Sequence, residues 1–437
     1  MNSALDTGNT AWLLTSTALV LLMIPGLAFF YGGMVRQKSV LNMLMMVMGA
    51  LVIVGVLWTF FGYGMAFGTN EDGFPGAEDT TFIGSISNNF GLTNLITDDP
   101  EASYPLMAFV AFQAMFACIT VGLIAGAIAD RARFLAWMVF AGVWATLVYF
   151  PVAHWVWSTS GWIFQKGVID FAGGTAVHIN AGAAALALAI VLGRRIGWPK
   201  TPMKPHNLTL VMIGAGLLWF GWFGFNAGSA LAANNVSAVV FYNTFIATCT
   251  AALGWLVVEK LRDGHATSLG MASGIVAGLV AITPACSAVT PIGAMIVGVV
   301  AGVLCALAVG LKYVFKFDDS LDVVGVHLVG GVVGTLLIGL LATKVAPAGV
   351  DGLFYGGGLD QLGKQAIGAF AVLGYSLVVA LIIGYAIKFT IGFRIKEDQE
   401  VSGIDLAEHA ESAYEFGDSG SGGVFAGMGH GARAEEI

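Results

Sequence analysis

Eleven apolar stretches, each about twenty residues long, constrain this chain more than any other feature, because each is long enough to cross a hydrocarbon core of roughly 30 Å. Their approximate limits are 10–33, 40–67, 105–129, 134–153, 171–193, 208–230, 238–258, 267–284, 289–311, 323–343 and 366–388. A backbone in lipid must satisfy its own hydrogen bonds, so stretches of this length are expected as helices. Charged residues make up 11% of the sequence, where soluble domains carry about 25%. The expected class is therefore an all-α polytopic membrane protein with eleven transmembrane helices.

An odd number of spans puts the termini on opposite faces. Lysine and arginine are retained in the short cytoplasmic loops, and an N-terminus outside leaves only Lys166, Lys344 and Lys364 of the 19 basic residues on the outer side. The C-terminus is then cytoplasmic. No basic region precedes the first span, so it is read as a span and not as a cleaved signal. Residues 1–393 form the expected transport domain. Residues 394–437 form a cytoplasmic tail, with its glycine- and serine-rich composition expected to be disordered after about residue 416.

Two segments repeat each other. Asp170-Phe-Ala-Gly-Gly-Thr-Ala-Val-His178 opens the fifth span, and Asp322-Val-Val-Gly-Val-His327 opens the tenth. Five spans separate them, so the second copy enters from the opposite face. This is the arithmetic of an inverted repeat with a site near the midplane. Repeat 1 covers about 10–193, repeat 2 about 208–343, and the eleventh span, 366–388, remains as a bracing helix.

The net charge of −8 argues against nucleic acid, which requires a basic face. Cys118, Cys249, Cys286 and Cys305 lie in apolar runs with no metal-ligand spacing, so no disulfide frame, metal or cofactor is expected. Phe61-Gly-Tyr-Gly64 ends a full-length span and lacks the Thr-Val of a potassium filter.

Ionisable groups inside spans are costly and are functional candidates by default. His178 lies about 12 Å along a helix from Asp170, and His327 roughly 7–8 Å from Asp322, at 1.5 Å per residue. Spacing alone leaves a gap of several ångströms between the imidazoles; the repeat makes their meeting plausible. A neutral imidazole pair, which burial favours over a charged one, can donate at one nitrogen and accept at the other. It could bind a small polar molecule or pass a proton. Asp170 could equally cap free N–H groups at a helix start. Phe112 and Phe116, four apart, share a helix face. Trp157 offers a π face to a cation or belongs to the interfacial aromatic belt.

Asp170-Phe-Ala-Gly-Gly-Thr-Ala-Val-His178-Ile-Asn, together with Gly221-Trp-Phe-Gly-Phe-Asn-Ala-Gly-Ser229, Phe116-Ala-Cys-Ile-Thr-Val-Gly-Leu, Phe30-Tyr-Gly-Gly and Asp322-Val-Val-Gly-Val-His327, closely resembles the ammonium transporter (Amt/Mep/Rhesus) family on its bacterial Amt branch. The resemblance runs from about residue 10 to Tyr414. It implies a homotrimer in the cell membrane with one pore per subunit, carrying ammonium or ammonia and also methylammonium. Trp157, Phe112 and Ser229 match the family's outer recruitment site, with Asp170 as its buried support. Phe116 and Phe225 match the gate, His178 and His327 the twin-histidine pair, and Trp222 and Tyr149 the pore-lining aromatics. Gly403-Ile-Asp405 and His409-Ala-Glu-Ser-Ala-Tyr414 resemble the ordered tail that docks a PII-type nitrogen regulator. The expected activity is ammonium transport with the proton also translocated, and not catalysis. A passive ammonia or carbon dioxide channel of Rhesus type and an ammonium sensor are the alternatives. An intramembrane hydrolase lacks any nucleophile motif. Eleven of the 27 acids face 3 basic residues outside, which predicts a weak cation-attracting field at the pore entrance.

Overall fold

The computed structural model describes residues 5–68, 81–87, 89–97 and 102–414. Eleven of its helices are long and apolar enough to span a membrane: α1 Thr7–Met34, α2 Gln37–Phe67, α3 Leu106–Ile128, α4 Phe134–Gln165, α5 Gly174–Leu192, α6 Leu208–Gly228, α7 Asn235–Asp263, α8 Ser268–Ala285, α9 Pro291–Phe315, α10 Val324–Leu341 and α11 Asp360–Thr390. All eleven expected spans are present. α4 and α11 run past their expected limits, α4 through Trp157 to Gln165. No strand occurs among the described residues. The disorder expected after about residue 416 falls outside them.

The helices pack with an offset of five. α1 touches α2 and α3, α2 touches α3 and α4, and α3 touches α5; α6 touches α7 and α8, α7 touches α8 and α9, and α8 touches α10. Each contact of the first half thus recurs in the second, as an inverted repeat requires. The halves join where α1 packs along α6 and α5 along α10. Small residues make these approaches possible, as is usual where lipid supplies no hydrophobic drive between helices. A Cβ on Gly182 of α5 would lie 2.6 Å from the backbone nitrogen of Leu328, and one on Gly331 of α10 would lie 3.1 Å from that of Ile179. Each glycine follows its own histidine by four residues and faces the residue after the other histidine.

The expected bracing helix is held by specific bonds as well as packing. Gln365 of α11 is buried; its Oε1 accepts from the Ile169 N–H at 2.7 Å, and its Nε2 donates to the Ile169 carbonyl at 2.7 Å. Ser376 donates to the Asn180 carbonyl at 2.8 Å. α11 thereby fixes the segment that carries Asp170 and His178.

At the tail end of the bundle, fully buried Arg131 gathers three loops, donating to the carbonyls of Gly193 (2.9 Å) and Asp318 (2.6 Å) and to the Ser320 hydroxyl (2.6 Å). Burial lowers its guanidinium to about 10. Arg195 forms a two-pronged pair with Asp318, at 2.9 and 2.8 Å, and reaches Asp130 at 3.2 Å. These bonds anchor the entry to α10.

The tail adds α12 Glu397–Ser402 and α13 Ile404–His409. Its acids cap helix starts, where N–H groups lack partners. Asp405 accepts from the N–H groups of Leu41 and Asn42 in α2 at 3.0 and 2.8 Å, and Glu408 from that of Phe134 in α4 at 2.9 Å. The N-terminal end sits on the opposite face, where the Asp6 N–H donates to the Ser103 carbonyl.

Candidate functional site: an aromatic-gated pore with paired histidines

Both histidines occupy π-helical turns, Gly174–Ile179 at the start of α5 and Val324–Leu328 at the start of α10. Such turns insert an extra residue and recur at functional sites. Together with the glycine crossing they close the gap that straight-helix spacing leaves. His178 Nδ1 and His327 Nδ1 are 3.2 Å apart, with rings 5.3 Å apart and 26° from parallel. One Nδ1 must donate and the other accept, so the two rings hold opposite tautomers. The side chains are 1% and 3% exposed, and Nε2 of His178 has no hydrogen-bond partner in the protein.

The pair faces a narrow cavity lined by Trp222, Phe225 and aliphatic side chains including Leu27, Ile119, Val177 and Leu218. Trp222 stacks on His178 at 5.4 Å and 19°. Its indole N–H donates to Thr283 Oγ1 at 2.8 Å, and the Thr283 hydroxyl donates to the Leu279 carbonyl at 2.7 Å, with Asn226 Oδ1 3.2 Å away. Thr283 therefore sets the plane on which His178 rests. Tyr149, placed among the pore-lining aromatics by the resemblance, does not line this cavity. It is fully buried in the π-helical turn Ala145–Tyr149 of α4, edge-on to Phe150 at 6.2 Å.

Above the histidines lie the two rings expected to form a gate. Phe116 and Phe225 stack with centroids 4.1 Å apart and planes 25° from parallel. Phe112 meets Phe116 at 4.9 Å, and Trp157 meets it edge-on at 5.8 Å and 90°. Ser229 follows Gly228, whose close approach to Phe112 would bring a Cβ to 2.9 Å from that ring. The Ser229 hydroxyl donates to the Phe225 carbonyl at 2.9 Å, which leaves its oxygen lone pairs to accept. Trp157, Phe112 and Ser229 thus lie around the Phe116–Phe225 stack on the face opposite the tail.

Asp170 supports this cluster. Oδ1 accepts from the N–H groups of Gly173 and Gly174 at 3.0 and 2.6 Å, and Oδ2 from Thr175 and Ala176, both at 2.9 Å. Its backbone carbonyl accepts from the Trp157 indole at 3.0 Å. Gly173, at φ +114°, provides a turn that L side chains rarely adopt. Burial raises the Asp170 carboxyl above its ordinary value, against the pull of the four N–H donors. Asp170 thus shapes the helix start and holds the Trp157 indole.

The counterpart of Asp170 in the second repeat is Asp319, not Asp322. Asp319 precedes His327 by eight residues, as Asp170 precedes His178. Its Oδ2 accepts from the Val324 N–H at 2.7 Å, five residues on, just as Asp170 accepts from Thr175. Asp322 instead pairs with Lys312 at 2.6 Å. The Val-His motif hid this offset, because Asp322 stands closer to it.

The sequence matches the profile described as Ammonium Transporter Family over residues 11–414. A protein named Ammonium transporter from Mycobacterium bovis is 59% identical, over 94% of this chain and 91% of that one. Among solved structures, Saccharomyces cerevisiae Mep2 superposes with a TM-score of 0.81 at 36% identity, covering 91% of this chain and 92% of its own. A structure titled Sensor Amt Protein gives 0.83 at 29% identity, covering 92% and 98%. The geometry and these similarities agree that this multi-pass membrane protein belongs to the ammonium transporter family.

Proposed function

We propose that the chain recruits ammonium from the outer face, removes its proton below the recruitment site, and conducts ammonia through the histidine-lined pore while the proton crosses separately. The observation that carries this reading is the Nδ1 to Nδ1 contact of 3.2 Å between two buried histidines in an apolar cavity.

Ammonium and potassium are alike in size and charge, so selectivity must use hydrogen-bond donation and proton loss. Trp157 and Phe112 offer π faces, and the Ser229 oxygen offers an acceptor. A bare cation in the apolar passage costs many kcal/mol, whereas neutral ammonia enters at far lower cost. A proton arriving at one Nε2 lets that ring release its Nδ1–H to the other Nδ1, and the second ring then releases a proton from its own Nε2. Nothing but protons moves in this step, so a substrate cation need never enter the aliphatic section. The Phe116–Phe225 stack, at 4.1 Å, closes the passage to hydrated ions until the rings part.

The distribution of basic residues supports an outside N-terminus and a cytoplasmic tail, and the family supports a transporter in the cell membrane and not an enzyme. The family resemblance supports a homotrimer. The tail motifs from Gly403 to Tyr414, ordered on the helix starts, support docking of a PII-type regulator.

Currents from proteoliposomes on a solid-supported membrane test the transport reading. Ammonium should give a sustained current, methylammonium a smaller one and potassium none. Ammonia entry detected by internal alkalinisation without any current would identify a passive channel instead. The similarity to a structure titled Sensor Amt Protein favours one second reading, an ammonium sensor, which would show ligand binding with negligible flux.

A further inference from the structure

Asp170 and Asp319 hold equivalent places in the two repeats, yet they use their carboxyls differently. Asp170 distributes four N–H bonds over both oxygens. Asp319 is 1% exposed and its Oδ2 takes the Val324 N–H, while Oδ1 is buried with no hydrogen-bond partner in the protein. A helix cap alone does not account for a carboxylate oxygen kept in the interior with its lone pairs unused, because burying it unpaired is costly.

Asp319 stands between the start of the histidine-bearing helix α10 and the tail face. The phenol ring of Tyr31, on α1, and Val323, four residues after Asp319, both close on Gly126, and Tyr31 donates to the Leu123 carbonyl at 3.0 Å. Leu123 and Phe30, the residue before Tyr31, line the histidine cavity. Toward the tail face stand Asp322, with its side chain 28% exposed, and Lys312, which pairs with it at 2.6 Å. Asp318, adjacent in sequence, is engaged by Arg195 and by Arg131 through its carbonyl. Asp319 caps the start of the helix that carries His327: its Oδ2 meets the Val324 N–H, and His327 follows Val324 by three residues in the same π-helical turn.

Granted the proton-carrying reading above, we propose that Asp319 is the acceptor that takes the proton from the His327 end of the pore and delivers it to cytoplasmic water. A water protonated at the His327 end gives up one O–H bond as Asp319 Oδ1 gains one, and the neutral acid then returns that proton to solvent on the Asp322 side. No electrons or further reactants are involved. Burial, then the charge of Asp322, pushes the Asp319 carboxyl up to about 6, with Lys312 and the N–H groups of Val324 and Val323 opposing. Such a group binds and releases protons near neutrality, whereas a carboxylate at its ordinary value would stay ionised.

The test is the ammonium current of proteoliposomes measured against internal pH at fixed external pH, for wild type, Asp319→Asn and Asp319→Glu. Ionisation of a group at about 6 drops about tenfold between pH 7 and pH 5. The wild-type current should fall about that much beyond the change in driving force. In Asp319→Asn the current should be small and change less than about twofold over the same range. Asp319→Glu should restore current with its midpoint displaced. A folded Asp319→Asn protein with the wild-type pH profile would overturn the proposal. If that variant does not reach the membrane, an unchanged midpoint in Asp319→Glu overturns it equally. A wild type without current at any internal pH contradicts the electrogenic reading instead.

Discussion

The Nδ1 atoms of His178 and His327 stand 3.2 Å apart across 149 residues of chain, and two glycines make the approach possible. Gly182 admits the backbone of Leu328, and Gly331 that of Ile179. The histidine pair is therefore a property of the α5–α10 crossing as much as of the imidazoles themselves.

Gly182→Ala should disturb that crossing. Its added Cβ meets backbone at 2.6 Å, which cannot swing aside as a side-chain end can, and overpacking of this kind costs about 1–3 kcal/mol. The expected outcome is a lower melting temperature in detergent together with a reduced ammonium current. Gly216→Ala, where a Cβ would meet nothing within 4 Å, should change neither.

Asp170→Ala should destabilise the protein by more than about 3 kcal/mol, because it leaves four N–H groups without their acceptor. Asp170→Asn keeps one acceptor oxygen and should fall between the two. Thermal unfolding of purified protein ranks the three, and equal stability of the alanine variant and wild type would contradict the capping role.

Trp157→Leu removes one of the two π faces beside the Phe116–Phe225 stack while leaving the four N–H bonds of the Asp170 carboxylate in place. Loss of a cation–π contact worth about 0.5–2 kcal/mol should raise the ammonium KM roughly 2- to 30-fold. Concentration dependence of the current measures this. An unchanged KM would assign Trp157 to the membrane interface alone.

The tail should be released by removing its caps. A double variant with Asp405→Ala and Glu408→Ala loses acceptors for Leu41, Asn42 and Phe134, at about 1 kcal/mol per cap. Protease cleavage within 394–414 should become faster in the variant, with the spanning helices still protected. Equal cleavage rates would show that the tail is held by other contacts.

Span number was legible because lipid imposes one length on every apolar run, and eleven runs became eleven helices. The histidines were legible because the repeat marked them. Asp319 was not, since the nearer Asp322 completed a similar motif and drew attention from the equal eight-residue spacing that the hydrogen bond to Val324 brings out. Gly182 and Gly331 were lost among 60 glycines. Thr283 and Gln365 act from other helices on Trp222 and Ile169, and nothing in their local sequence marks them. The π-helical turns have no residue signature, so straight-helix spacing left the imidazoles apart.

The central claim is that the proton crosses by way of the histidine pair. The most direct measurement is the ammonium-evoked current of a double variant, His178→Leu with His327→Leu, in proteoliposomes containing as much folded protein as the wild type. The account predicts that the current is abolished. A current of wild-type size that still excludes potassium would contradict it.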